Sequence, residues 1–339
     1  MKAAPIIAPR RLYSVGSFGR FSSGRTSPMS AKTIVQVSSW LILPALYVAF
    51  YALHVATNGH PIEQWLPKWD RVLLILSIVV LERIYTYRYA VSQRAMLPRD
   101  LISNAVNLWV TGVLATMIFL PVLAFFPDYF FGRKLFFASS EQLGPLWLQV
   151  PVVLLIVSFA RYWIHRAQHE VQFLWELHSY HHRVTDLTAA NGLVSHPIDF
   201  ALRNVLIFVA LGVVGFHPFA ILLAVSVTLI AAEFSHCGAD VKGWLLNYVF
   251  VTPEVHRWHH SADVPAGHKY AVNYSVEFPL WDAAFGTFYL PGKGTAPEQP
   301  PRIGHPGGLP DEPSYLKLLL APLGLYRPVS RLKRPEPAE

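Results

Sequence analysis

Within Leu174–Arg183 the chain reads LWELHSYHHR, which puts His178, His181 and His182 at i, i+3 and i+4. The same spacing returns in EVHRWHHSAD as His256, His259 and His260, and RYWIHRAQHE sets His165 and His169 four residues apart. On a helix each set lies on one face. Twelve of the fifteen histidines fall between His165 and His268, with His236 between the sets in EFSHCGAD. Imidazole is the commonest metal ligand and suits iron, copper, zinc and nickel. The eight patterned imidazoles plus His236 are too many for one ion, whereas two ions taking four or five nitrogens each use them all. A zinc-protease H-E-x-x-H is absent, as is a paired E-x-x-H of carboxylate-bridged sites. The solitary His54, His60 and His305 read as interface residues. One cysteine, Cys237, excludes an internal disulfide, a thiolate cluster and a Cys-pair zinc site.

The elements that must carry these residues are membrane-like. Of the 339 residues 53% are hydrophobic and 14% charged, and the apolar residues come in blocks. A span needs about 20 apolar residues, which predicts helices at 34–56, 71–91, 102–125 and 146–164. A further apolar stretch, 202–234, is interrupted by Gly215-Phe216-His217-Pro218 and reads as a hairpin of two short helices. Only helices satisfy the backbone where water is absent. Lys and Arg crowd the first 32 residues and the loop after the second span, which places the amino terminus inside. Four crossings then bring the histidine-rich remainder back to the cytoplasmic face. The expected class is an all-α membrane protein with a cytoplasmic helical cap. Its parts are a basic arm at 1–33, membrane helices at 34–145, a catalytic region at 146–292 and a Pro/Gly-rich basic tail at 293–339.

The net charge of +7 follows from this asymmetry and from Arg327, Arg331, Lys333 and Arg334, which suit anionic headgroups. Nucleic-acid binding is disfavoured because the basic residues flank spans instead of forming one patch with stacking aromatics. The acid-free start also reads as an organelle transit peptide, with a disordered cytoplasmic arm as the plainer alternative.

Metal-bound histidines usually donate their second ring N–H to a carboxylate or carbonyl. Glu170, Glu176, Asp186, Asp199, Glu233, Glu254 and Asp263 are the acidic candidates. Asp199 and Glu233 stand out, because they lie nearest the apolar hairpin and a buried charge is costly unless paired. No dinucleotide, flavin or haem signature is present, so electrons for redox chemistry must come from another protein.

The H-x-x-x-H after a span, followed about ten residues later by H-x-x-H-H and by a second H-x-x-H-H after a membrane hairpin, resembles the fatty acid hydroxylase/sterol desaturase superfamily. HPID at 196–199 is similar to that family's H-P-hydrophobic-acid element, and NYSVEFPLWDAAFGTFYLP at 273–291 to its closing motif. The likeness covers residues 150 to 291. It implies a membrane oxygenase with two iron ions, for which zinc can substitute, acting on a lipid C–H bond by hydroxylation or desaturation. By position, the implied ligands are His165, His169, His178, His181, His182, His236, His256, His259 and His260. His196, Asp199, Glu233, Asp240 and Asn273 are implied as additional ligands or supports. Ser275 departs from the usual glycine after Asn-Tyr, and Asp240 stands where a further partner is often found. Trp281, Asp282, Phe285 and Phe288 read as packing for the closing segment. The expected partners are a lipid substrate and a cytochrome b5-like or ferredoxin-like donor, in a bacterial inner membrane or the endoplasmic reticulum. A non-catalytic zinc-binding or transport-related membrane protein is the alternative.

Overall fold

The computed structural model describes residues 98–114, 117, 143–238, 244–292, 299–309, 312 and 314–320. The basic arm, the spans expected at 34–56 and 71–91 and most of the far end of 102–125 lie outside them. The described residues are helical, with one isolated β-bridge, Ser261 to Ile303, and no strand among them.

In chain order the helices are α1 (Pro98–Leu114), α2 (Leu146–Glu170), α3 (Gln172–His178), α4 (Pro197–Val214), α5 (Pro218–His236), α6 (Pro253–His259), α7 (Leu280–Phe285) and α8 (Tyr315–Leu320). Three-ten turns lie at His181–Arg183, Ala189–Asn191 and Trp244–Tyr248. Helix α2 is the one described helix that is long and apolar enough to cross a membrane.

The interruption at Gly215–Pro218 is the turn of a helical hairpin. Gly215 takes the left-handed conformation (φ 92°) that a helix C-cap favours, and its N–H bonds the Leu211 carbonyl. Pro197 and Pro218 open α4 and α5 at the position where a missing N–H costs nothing. Before each proline a histidine caps the helix: His196 Nδ1 accepts from the Ile198 N–H and His217 Nδ1 from that of Phe219. The two helices have 18 and 19 residues, longer than the apolar stretch suggests. These caps start the helix before the hydrophobic run, and the polar Glu233–His236 segment extends it beyond.

The hairpin packs against α2 through Val153, Val157, Ile207, Leu211, Phe216, Ala220, Ile221 and Ala224. Ala220 and Ala224, one turn apart, let the backbones approach. At the far end the Gln149 side chain accepts from the His217 N–H at 2.9 Å, fixing the hairpin turn beside the start of α2. The end of α2, the start of α4 and the end of α5 are therefore carried together to the opposite end.

The outward faces are apolar. On α2, Trp147, Leu148, Val152, Leu155, Ile156, Phe159 and Trp163 are exposed. Helix α1 is inverted relative to a soluble helix. Its Asn104 donates to the Ala190 carbonyl and its Asn107 to those of Leu193 and Ser195, while Leu101, Ile102 and Trp109 face out. Such contiguous exposed apolar surface suits lipid better than water.

Candidate metal centre

At the converging end, the last turns of α2 supply His165 and His169, and α3 ends on His178. The chain then turns through Ser179 and Tyr180 into the three-ten turn carrying His181 and His182. His236 ends α5, His256 and His259 sit on α6, and His260 is the α6 C-cap. All nine are buried.

Their nitrogens form two groups. His165, His169, His178, His182 and His259 offer five donor atoms within 4.8 Å of one another, and His181, His236, His256 and His260 offer four. Each H-x-x-H-H triplet divides between the groups. In the first, His178 and His182 stay together while His181 joins the other group, and α3 stops at His178, so the three residues do not share the single continuous helical face their spacing suggests. In the second, His256 and His260 are one turn apart and stay together, while His259 points to the neighbouring group. The groups adjoin, with ring centroids 4.3 Å apart for His182 and His260 and 5.1 Å for His256 and His259.

Backbone carbonyls set the tautomers. Nδ1 of His165 donates to Tyr274 (2.6 Å), of His181 to Val194 (2.7 Å), of His236 to Ala232 (2.7 Å) and of His259 to Val272 (2.8 Å). A carbonyl can only accept, so each of these rings carries its proton on Nδ1 and presents a bare Nε2 lone pair. His181 and His236 nevertheless hold their Nε2 atoms 3.0 Å apart. Neither can donate, and two lone pairs at that distance repel unless a cation lies between them. His236 Nε2 also stands 3.1 Å from that of His260 and 3.2 Å from that of His256. In the larger group the Nε2 atoms of His165 and His178 are 3.1 Å apart, and those of His169, His182 and His259 are buried without a hydrogen-bond partner. The donor set therefore fits two metal ions of the imidazole-preferring kind.

Burial, reinforced by neighbouring imidazoles, holds His181, His182, His256 and His260 well below the usual histidine range. His259 is brought down to about 3, chiefly by burial. Burial also lowers His178, against the opposing pull of the Asp199 carboxylate. These rings are neutral at physiological pH, the form that binds metal.

The Asp199 carboxylate meets an imidazole. Its Oδ2 lies 3.3 Å from His178 Nδ1 and 3.2 Å from Arg203, and Gln168 donates to its other oxygen. His196 is outside both groups, with Nδ1 capping α4 and Nε2 donating to the Leu319 carbonyl at 3.2 Å. Glu233 is buried near the end of α5. Glu170 pairs with Arg166, Glu254 accepts from Asn247, Glu176 from Gln172, and Asp263 pairs with Arg302. Asp186 offers its carbonyl to Asn191. Asp240 lies outside the described residues.

The closing segment acts through hydrogen bonds. Asn273, at φ 58°, donates to the Val255 and Tyr289 carbonyls and accepts from the Tyr289 N–H. Asp282 accepts from the N–H groups of Tyr274 (2.7 Å) and Ser275 (2.9 Å) and from the Thr287 hydroxyl. It thereby fixes the peptide whose carbonyl orients His165. His305 is buried, its ring 5.5 Å from Trp175, which in turn packs against His169 at 5.1 Å. Residues 302–304 hold the second triplet through Ala262 N–H to Arg302 O and Gly304 N–H to His260 O. Sequence reasoning misses the four orienting carbonyls, which have no side-chain signature, and the contribution of residues 302–305 to the cap.

A family model described as fatty acid hydroxylase matches residues 150–287. The chain is 34% identical over 148 residues to the ornithine lipid hydroxylase OlsE of Rhizobium tropici, covering 43% of this chain and 44% of that protein. It is 28% identical over 141 residues to human alkylglycerol monooxygenase, covering 39% and 28%. Sphinganine C4-monooxygenase 1 of Arabidopsis thaliana is 30% identical over 189 residues, covering 54% and 70%. The chain thus spans less than half the length of the first two of these relatives. No solved structure matches it.

Proposed function

Because the chain belongs to the fatty acid hydroxylase/sterol desaturase superfamily, we propose that it is a membrane-bound lipid hydroxylase with a pair of iron ions held by nine imidazoles. The single observation that carries the metal is the facing lone pairs of His181 and His236 at 3.0 Å, each fixed by a carbonyl behind it. His165, His169, His178, His182 and His259 hold one ion, and His181, His236, His256 and His260 the other. Iron there supplies the activation of dioxygen that attack on an unactivated C–H bond requires.

The chain's own residues do the rest. The Tyr274, Val194, Ala232 and Val272 carbonyls keep four rings in the metal-binding tautomer, so no proton must move before an ion enters. Asp199 orients His178 and brings negative charge near the centre, while Arg203 and Gln168 hold the carboxylate in place. The α2–α4–α5 core excludes water from the membrane side. The lipid tail approaches from the bilayer and the imidazoles sit at its cytoplasmic face, in the multi-pass arrangement expected from the sequence.

Hydroxylation consumes the lipid, dioxygen, two electrons and two protons, and yields the hydroxylated lipid and water. The electrons come from a separate cytochrome b5-like or ferredoxin-like carrier. Expression in iron-rich medium, metal analysis and incubation with membrane lipid, a ferredoxin or cytochrome donor and isotopically heavy dioxygen test the reading. Two irons per chain and one heavy oxygen atom in a lipid product are expected. A protein that binds only zinc and labels no lipid would be a metal-binding or transport protein instead, and turnover with NADPH alone would remove the separate donor.

A further inference from the structure

The three-ten turn Trp244–Tyr248 and the residues after it show an uncharged apolar surface that the chemistry above does not use. Leu245 is 81% exposed, Tyr248 64%, Val249 51% and Phe250 45%. Beneath them Asn247 is buried, bonded to Glu254 and Thr252, so this surface is held rigidly on α6. It continues into the closing segment. The Val251 N–H bonds the Glu277 carbonyl, and the rings of Tyr248 and Phe288 stand 5.6 Å apart.

The closing segment is in turn fixed to α2 at a measurable depth. Trp281 Nε1 donates to Ser158 Oγ at 2.9 Å, and Phe285 packs on Trp163 at 4.9 Å. Ser158 precedes His165 by seven residues, so at about 1.5 Å of rise per residue this contact lies about 10 Å closer to the membrane than the first histidine. It falls within the apolar length of α2. Leu280 and Phe285 are exposed there, beside the outward Phe159 and Trp163 of the same helix.

We propose that Leu245, Tyr248, Val249 and Phe250, with Leu280 and Phe285, form a facet of the cap that is inserted in the cytoplasmic leaflet of the bilayer. Its occupant is phospholipid, because the facet is continuous with the lipid-facing side of α2 and places aromatic rings where interfacial belts collect them. The inference rests on α2 crossing the bilayer and not on the oxygenase chemistry.

Cys237 is buried, so an exposed cysteine introduced elsewhere can be labelled selectively. Leu245→Cys and, separately, Val249→Cys in the full chain are labelled with an environment-sensitive fluorophore and reconstituted in phosphatidylcholine nanodiscs. The nanodiscs carry acyl chains that are either plain or spin-labelled near the headgroup. A blue-shifted emission that the spin-labelled lipid quenches and aqueous iodide does not is the expected result for both positions. Quenching by iodide alone would put the facet in water, and quenching by neither would put it under another part of the protein. Either overturns the proposal. Both positions are surface-exposed, and elution of each variant as the parent does on gel filtration identifies a folded sample. Loss of turnover with lipid quenching intact would count against the hydroxylase reading alone.

Discussion

His181 and His236 face each other through bare nitrogens, while the residues that orient them are backbone atoms and cannot adapt. Asp199 differs, because it meets the His178 imidazole through a side-chain carboxylate. Asp199→Asn retains the shape and loses the charge, so it should weaken metal binding about 10- to 100-fold, in the manner of other partners behind a ligand. Chelator competition on the purified protein measures this. His196→Ala, by contrast, should leave the metal content intact, since His196 caps α4 and lies outside both groups. The buried imidazoles also predict a pH response with a definite sign. Their pKa values are lowered in the folded protein, so the unfolded chain binds more protons below about pH 6.5 and stability falls as the pH drops through that value. Because His259 does not protonate until about 3, the decline should continue through the range where an ordinary histidine would already be charged. Thermal unfolding of metal-free protein between neutral and mildly acidic pH checks both the direction and the onset. Eight of the ligand candidates were legible from spacing, and His236 from its place between the sets and from the family resemblance. Their division between two groups was not, because the middle histidine of each triplet turns to the neighbouring group both where the helix stops, after α3, and where it continues, on α6.

Among the elements, the short ones hold the long ones in register. Gly192 follows the three-ten turn Ala189–Asn191, and a Cβ there would lie 3.0 Å from the Ala232 carbonyl oxygen and 3.0 Å from the Glu233 Cα. That carbonyl is the one that orients His236. Gly192→Ala must therefore push the last turn of α5, at a cost of about 1–3 kcal/mol for overpacking. It should lower metal occupancy as well as the unfolding midpoint, which metal analysis and a thermal melt report together. Asp282 plays the matching part in the closing segment. Asp282→Ala strands the N–H groups of Tyr274 and Ser275, and about 1–3 kcal/mol for each buried unsatisfied donor makes it strongly destabilising. Denaturant melts should show the loss even in metal-free protein, which separates it from a ligand effect. The hairpin and α2 were readable because hydropathy, glycine and proline mark them. The strap at 302–305 was not: its Gly- and Pro-rich composition looks like surface chain, and its backbone bonds to Ala262 and His260 carry no sequence pattern.

At the scale of the whole molecule, three helices deliver their polar ends to one place while α2 turns an apolar face outward, an arrangement stable only if two opposite demands are met. The outward apolar face suits lipid, and the facing Nε2 lone pairs of His181 and His236 call for a cation between them. Composition announced the first demand, and histidine count the second. Their meeting at one end follows from the apolar packing of the hairpin on α2, with the Gln149 to His217 contact fixing the turn beside the start of α2, a side-chain bond that no periodicity reveals. Metal should consequently contribute to folding as well as to chemistry. A ligand that binds only the folded state adds about 2.7 kcal/mol per site when free metal is a hundred times its dissociation constant. Stripping the ions with a chelator in nanodiscs should lower the thermal midpoint, and iron or zinc should restore it, since imidazole sites accept either. In a variant with His181→Ala and His236→Ala the lone-pair conflict is gone, so the metal-free form should lose less and respond less to added metal. An unchanged midpoint in the parent after complete metal removal would mean that the imidazoles are satisfied without ions, and the metal-centre reading would have to be abandoned.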